Sequence, residues 1–175
     1  MTTITVSGFP GSGTTTVAKL LEKKTGLTYV YSGDIFRKMA KKHNMSLEDF
    51  GRYCEKHKEV DEKLDRYQLE ILEKGNVILE GRISGWIAHR NTIDSLKVVL
   101  EADIDTRAKR IVKRENGDIK KRKQEIKKRE KSEATRYKKY YDIDVSDTSI
   151  YDLVIDTSDK TPEEIVEIIV KEIKK

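Results

Sequence analysis

Short β-branched runs alternate along the chain with stretches whose apolar residues recur at helical spacing. Thr3–Ser7 (Thr-Ile-Thr-Val-Ser) predicts a first strand, and Thr15–Lys24, with Val17, Ala18, Leu20 and Leu21, predicts the helix after it. Leu27–Ser32 reads as a second strand and Gly33–Lys42 as a helix. Ser46-Leu-Glu-Asp49 has the form of a capping box opening another helix. Val60–Lys74 carries Leu64, Tyr67, Leu69, Ile71 and Leu72 on a further helix, which Gly75-Asn76 stops. Val77–Leu79 and Leu96–Leu100 are the third and fourth strands, Asp103–Arg114 and Ile119–Tyr140 are helices, and Leu153–Ile155 is the fifth strand. Thr161-Pro-Glu-Glu164 places a cap, a first-turn proline and a glutamate where a last helix should start. Strands alternating with helices predict an α/β fold, a five-stranded parallel sheet covered on both faces, within one domain. Ligands of such sheets sit outside the carboxyl ends of the strands.

Composition narrows the picture. The 175 residues suit a single domain with a full core, and no apolar run is long enough to span a bilayer. The chain opens directly on a strand-like run, without a leader pattern, and its one cysteine, Cys54, excludes an intramolecular disulfide; both point to a reducing, cytoplasmic setting. The net charge of +5 is unevenly placed. Arg107–Lys139 holds 16 Lys and Arg against 5 Asp and Glu, so this one segment is basic and the remainder acidic. Such a segment suits nucleic acid or a polyphosphate ligand.

The chemistry begins between the first strand and the first helix. Gly8-Phe9-Pro10-Gly11-Ser12-Gly13-Thr14-Thr15-Thr16 follows the phosphate-binding pattern G-x-x-x-x-G-K-[ST], except that Thr14 stands in the lysine slot. Glycines let backbone N–H groups converge on phosphate oxygens, and the helix N-terminus adds partial positive charge. Thr15 holds the position whose hydroxyl reaches Mg²⁺ in such loops. Ser32 and Arg37, after the second strand, offer a hydroxyl and a guanidinium to a second anion. Glu80-Gly81-Arg82 ends the third strand, where Glu80 could hold Mg²⁺ through water and Arg82 could bind phosphate or base. Arg129 and Arg136, seven apart, share a helix face, and Arg110 and Arg114 form a second pair. The basic segment can therefore act as a lid over a transferring phosphoryl group. His43, His57 and His89 lack metal-ligand spacing, Cys54 reads as structural, and Trp86 could equally stack on a base or cap the core.

These motifs, together with Leu79-Glu-Gly-Arg82 and the closing Tyr151-Asp-Leu-Val-Ile-Asp-Thr157, resemble in order those of the cytidylate kinase family in its archaeal form, over nearly the whole chain. The resemblance implies a three-layer P-loop NTPase fold with a small acceptor-binding helical region at about 33–74 and a helical lid at about 110–140. It implies transfer of the ATP γ-phosphate to CMP or dCMP with Mg²⁺. By the same resemblance Gly8–Thr16 would hold ATP, and Ser32, Asp34, Arg37 and Arg82 the acceptor. Arg110, Arg129 and Arg136 would face the phosphates as catalytic lid arginines, and Thr15 and Glu80 would serve the metal. The chain departs from the family pattern at Thr14, at Glu80 (usually Asp), and in lacking the long acceptor insertion of bacterial members, so no cytosine reader carries over. The lysine charge missing at Thr14 would come from the lid arginines or from Lys19. Rival readings are a small P-loop kinase acting on AMP, UMP or shikimate, a nucleotide-sensing switch without an acceptor, and a nucleic-acid-binding module. The last would interleave aromatics with its basic residues, and Ile119–Arg136 has none. A monomer without nucleic-acid or membrane partners is expected.

Overall fold

The computed structural model describes residues 2–173. Five strands, β1 (Ile4–Gly8), β2 (Thr28–Tyr31), β3 (Val77–Glu80), β4 (Leu96–Glu101) and β5 (Leu153–Asp156), form one parallel sheet in the order β2-β3-β1-β4-β5. The helices are α1 (Thr14–Thr25), α2 (Ser32–Lys42), α3 (Leu47–Cys54), α4 (Lys58–Lys74), α5 (Ser84–Arg90), α6 (Ile104–Glu115), α7 (Ile119–Tyr141) and α8 (Pro162–Ile173).

Side chains alternate across β1. Ile4 and Val6 face α1 and α8, packing with Val17, Ala18, Leu21, Ile165, Val166 and Ile169. Ser7 faces the other way, its hydroxyl 3.2 Å from that of Ser84 at the start of α5. On that second face Leu72, Leu79, Ile87, Ala88, Tyr137 and Ile143 form a separate core. Helices thus cover both sides of the sheet, the expected three layers. Two smaller clusters lie outside them: Ala40, Phe50 and Cys54 join α2 and α3, while Ala108, Ile111 and Ile126 join α6 to α7. Burial pushes the Cys54 thiol up to about 12, so it packs as an inert apolar group.

The caps follow the sequence. Ser46 Oγ accepts from the Asp49 N–H at 3.1 Å. Thr161 and Glu164 exchange bonds at 2.8 and 3.2 Å at the start of α8. Two points differ from expectation. Ser32 lies in the first turn of α2, because β2 ends at Tyr31. Residues 84–90 form a helix, α5, that the pattern did not announce; it is under two turns long and opens on Ser and Gly, both poor helix signals.

Candidate active site

Strand register sets the site. Val6 lies abreast of Glu80 and Glu80 abreast of Tyr31, so β1, β3 and β2 end together at one edge of the sheet. The loop after Gly8, the Glu80-Gly-Arg82 turn and the start of α2 therefore meet at one edge.

The loop is tightly built. Ser12 bonds the Phe9 carbonyl through its N–H and its hydroxyl, at 3.1 and 2.8 Å. A Cβ on Gly8 would fall 2.5 Å from Ser12 Oγ and 2.7 Å from the Leu100 carbonyl, so only glycine fits. Gly13, at φ 97°, is left-handed and turns the chain into α1. No side chain caps α1, which leaves its first-turn N–H groups facing the loop concavity.

Thr14, in the lysine slot, donates to Glu80 Oε1 at 2.6 Å, and Thr15 donates to the same oxygen at 2.7 Å. Tyr29 donates to the other oxygen, Oε2. Burial, then the bond to Glu80, pushes the Tyr29 hydroxyl far above its ordinary range, so it remains a donor at any working pH. Glu80 is buried and held by three hydroxyls. The donor set suits Mg²⁺: a carboxylate and a hydroxyl, both hard oxygen ligands, side by side at the phosphate loop, the remaining positions being left to phosphate oxygens and water. Among the described residues no cluster of three or more His, Cys, Asp or Glu offers a metal site.

A cleft of about 420 Å³ runs from the loop along α2 and under α7. Its walls include Gly8–Gly11, Thr14, Thr15, Lys19, Ser32, Asp34, Arg37, Glu80, Arg82, Arg114, Arg129 and Arg136. A second cavity of about 280 Å³ lies on the other side of the loop, between Gly11–Val17, Arg110, Arg114, Thr157, Lys160 and Pro162. Gly11, Thr14, Thr15 and Arg114 border both.

The cleft arginines are oriented by buried acids. Arg82 Nε donates to Glu133 at 2.5 Å and Arg129 Nε donates to its other oxygen at 2.9 Å. Burial alone would raise the Glu133 carboxyl; the guanidinium groups of Arg82 and Arg129 instead hold it at about 2. Arg136, 3% exposed, lies 3.2 Å from Asp61, equally buried, and donates to the Gly51 carbonyl at 3.3 Å. The Arg136–Asp61 contact is not aligned as a hydrogen bond. Burial therefore outweighs the guanidinium and pushes Asp61 up to about 6. Phe9 of the loop has Arg82 at 5.6 Å and Arg107 at 5.4 Å from its ring centre.

The cleft thus brings together the loop, Ser32, Asp34, Arg37, Glu80, Arg82, Arg129 and Arg136. Arg110 is set apart from the other two arginines expected over the phosphates. It lies in the second cavity and donates to Thr157 Oγ1 at 2.9 Å and to the Thr157 carbonyl at 2.6 Å. Arg114, one turn on, is the member of that pair at the junction of the two cavities. Trp86 packs against the second core and borders neither of these two cavities, in keeping with the core alternative. Sequence reasoning passed over Glu133, though Arg129 and Glu133 stand at the i,i+4 spacing that signals a helical ion pair. Tyr29 and Thr157 gave no such signal.

The family model described as "Cytidylate kinase-like family" matches residues 3–159. The chain is 49% identical over 156 residues to the cytidylate kinase of Methanocaldococcus jannaschii, covering 89% of this chain and 88% of that protein. It is 46% identical over 172 residues to that of Methanococcus vannielii, covering 98% and 99%. Among solved structures it resembles an uncharacterized protein from Eubacterium ventriosum (TM-score 0.73, 21% identity, 99% of each chain). It also resembles shikimate kinase from Bacteroides thetaiotaomicron (TM-score 0.63, 13% identity, 99% of each chain).

Proposed function

The chain belongs to the cytidylate kinase-like family, and from that premise we infer that it transfers the γ-phosphoryl group of ATP to CMP, yielding ADP and CDP. One observation carries the reading at this chain's own residues. A single cleft joins the phosphate loop to a second, acceptor-binding wall formed by Ser32, Arg37 and Arg82. A sensing switch needs no such second wall.

ATP lies with its phosphates on Gly8–Thr16, held by the α1 N-terminus, and its nucleoside in the second cavity beside Arg110 and Thr157. CMP, with dCMP as a further acceptor, lies along α2 with its phosphate toward Arg37, Arg82 and Arg136. An ionised phosphate oxygen is already a nucleophile, so no general base is required. The chain contributes alignment, charge neutralisation and exclusion of water. Arg129 and Arg136, on α7, face the transferring group; Arg82 is held for the acceptor by Glu133. Arg114, at the junction, is placed to meet charge developing between donor and acceptor. Thr15 and Glu80 would hold Mg²⁺, which neutralises phosphate charge when bound. All these groups come from one chain, so a monomer suffices.

The test is an ADP-release assay across CMP, dCMP, UMP, AMP and shikimate at saturating ATP and Mg²⁺. CMP should give the highest kcat/KM. A higher value for AMP or shikimate would overturn the reading.

A further inference from the structure

Gln68 is 2% exposed and sits on α4, yet it borders the cleft beside Ser32 and Gly81. Its side-chain nitrogen donates to Asp65 Oδ1 at 3.1 Å. Its carbonyl oxygen is buried without a hydrogen-bond partner. That oxygen and Ser32 Oγ converge beside the bare Cα of Gly81: a Cβ there would lie 2.6 Å from Gln68 Oε1 and 2.5 Å from Ser32 Oγ. A buried acceptor left unpaired is unfavourable. A ligand donor arriving in the cleft would relieve it.

The amide cannot turn round. Asp65 Oδ1 is an acceptor, so the NH₂ group must face it and the carbonyl must face away. An ionised Asp65 has no proton to offer, so its Oδ1 can only accept. The cleft therefore presents a fixed acceptor on its acceptor-nucleotide side. Cytosine carries an amino donor at position 4, whereas uracil carries a carbonyl there, which would leave two acceptors opposed.

Resting on the CMP reading above, we propose that Gln68 Oε1 reads the 4-amino group of the acceptor cytosine, with Asp65 as the residue that fixes the amide's orientation. Gln68 is then the specificity-determining contact between cytosine and uracil nucleotides. Asp65 acts through it as a positioning residue.

The experiment compares three acceptors on the wild-type enzyme and on Gln68→Leu: CMP, UMP, and the 2-pyrimidinone nucleotide in which hydrogen replaces the 4-amino group. In the wild type, removing the amino group should lower kcat/KM about tenfold or more, since the acceptor is then left unpaired. In Gln68→Leu the same change should have little effect, the CMP-to-UMP preference should fall by a similar factor, and KM for ATP should stay unchanged. In Asp65→Asn, whose amide lets Gln68 present either end, the CMP-to-UMP preference should fall through KM for the acceptor rather than through kcat. Equal kcat/KM for CMP and the 2-pyrimidinone nucleotide on the wild type would overturn the proposal, and this arm stands even if Gln68→Leu does not fold. An unchanged CMP-to-UMP ratio in folded Gln68→Leu would also overturn it. A wild type that prefers AMP or shikimate would instead overturn the functional reading beneath it.

Discussion

At the residue scale, Arg129 and Arg136 look equivalent in sequence and differ in the folded chain. Arg129 is half-exposed and bonded to Glu133, whereas Arg136 is buried against Asp61. Arg129→Ala should lower kcat about tenfold, roughly 1.4 kcal/mol in the transition state, with little change in melting temperature. Arg136→Ala should lower activity as well, and should also reduce stability by about 3 kcal/mol because it strips a buried carboxyl of its counter-charge. ADP-release kinetics beside thermal melts separate the two, and an Arg129→Ala enzyme with full kcat would remove that residue from the chemistry. Thr14 shows a different contrast. From the motif alone, Thr14→Lys should be tolerated or mildly helpful. The Thr14–Glu80 bond changes that expectation, since a lysine amine there would pair with the carboxylate proposed to serve the metal. Thr14→Lys should therefore raise the Mg²⁺ concentration needed for half-maximal rate, which a metal titration measures. Lys19 borders the cleft as Thr14 does and remains, with the arginines, a source of the missing positive charge.

At the element scale, local chemistry sets boundaries and packing sets consequences. The reciprocal Thr161–Glu164 cap starts α8, whose Ile165, Val166 and Ile169 pack against α1 behind the sheet. Thr161→Ala should cost about 1 kcal/mol of stability, read in a denaturant melt, while kcat for CMP stays at the wild-type value because α8's packed face lies away from the acceptor cleft. The basic helix α7 is more than a solvated charge run. Ile126 anchors its first half to α6, Tyr137 enters the second core, and Glu133 faces inward to Arg82. Its charge pattern announced a helix over the site; its few apolar residues gave little sign that its second half is part of the body. The helix α5 was missed for the opposite reason, being too short for periodicity to register.

At the scale of the whole molecule, buried acids give stability a pH dependence of definite sign. Burial pushes Asp61 up to about 6 and Asp65 up to about 7, against about 3.9 in an unfolded chain. Between roughly pH 4 and 7 the folded state thus binds more of these protons than the unfolded state, and these two groups make stability rise as pH falls through that window. Glu133 works in reverse: held at about 2, it contributes stability above its unfolded value of about 4.3 and loses it as pH falls further. The melting temperature should climb from pH 8 to about pH 5 and drop below about pH 4. Asp65→Asn should flatten the climb and leave the acid drop in place. A melting temperature that falls steadily from pH 8 downward would contradict the burial assigned to these acids.

The sequence by itself determined the order of strands and helices, the parallel sheet, the phosphate loop with its missing lysine, and the ordered motifs that carry the family resemblance. Those features are local: periodicity, caps and glycine spacing act over a few residues. Tertiary structure decided which charges meet. Arg82 and Glu133 are 51 residues apart in sequence, and Glu80 reaches Thr14 and Thr15 across 66 and 65. No local pattern encodes such pairs, because they depend on strand register and on how α7 lies across the cleft. The same is true of the separation of Arg110 from Arg129 and Arg136. Gln68 is the clearest case: in sequence it is a polar residue within a helix, and only the packing of α4 against the end of β3 places its unpaired oxygen beside Gly81, where a base could meet it.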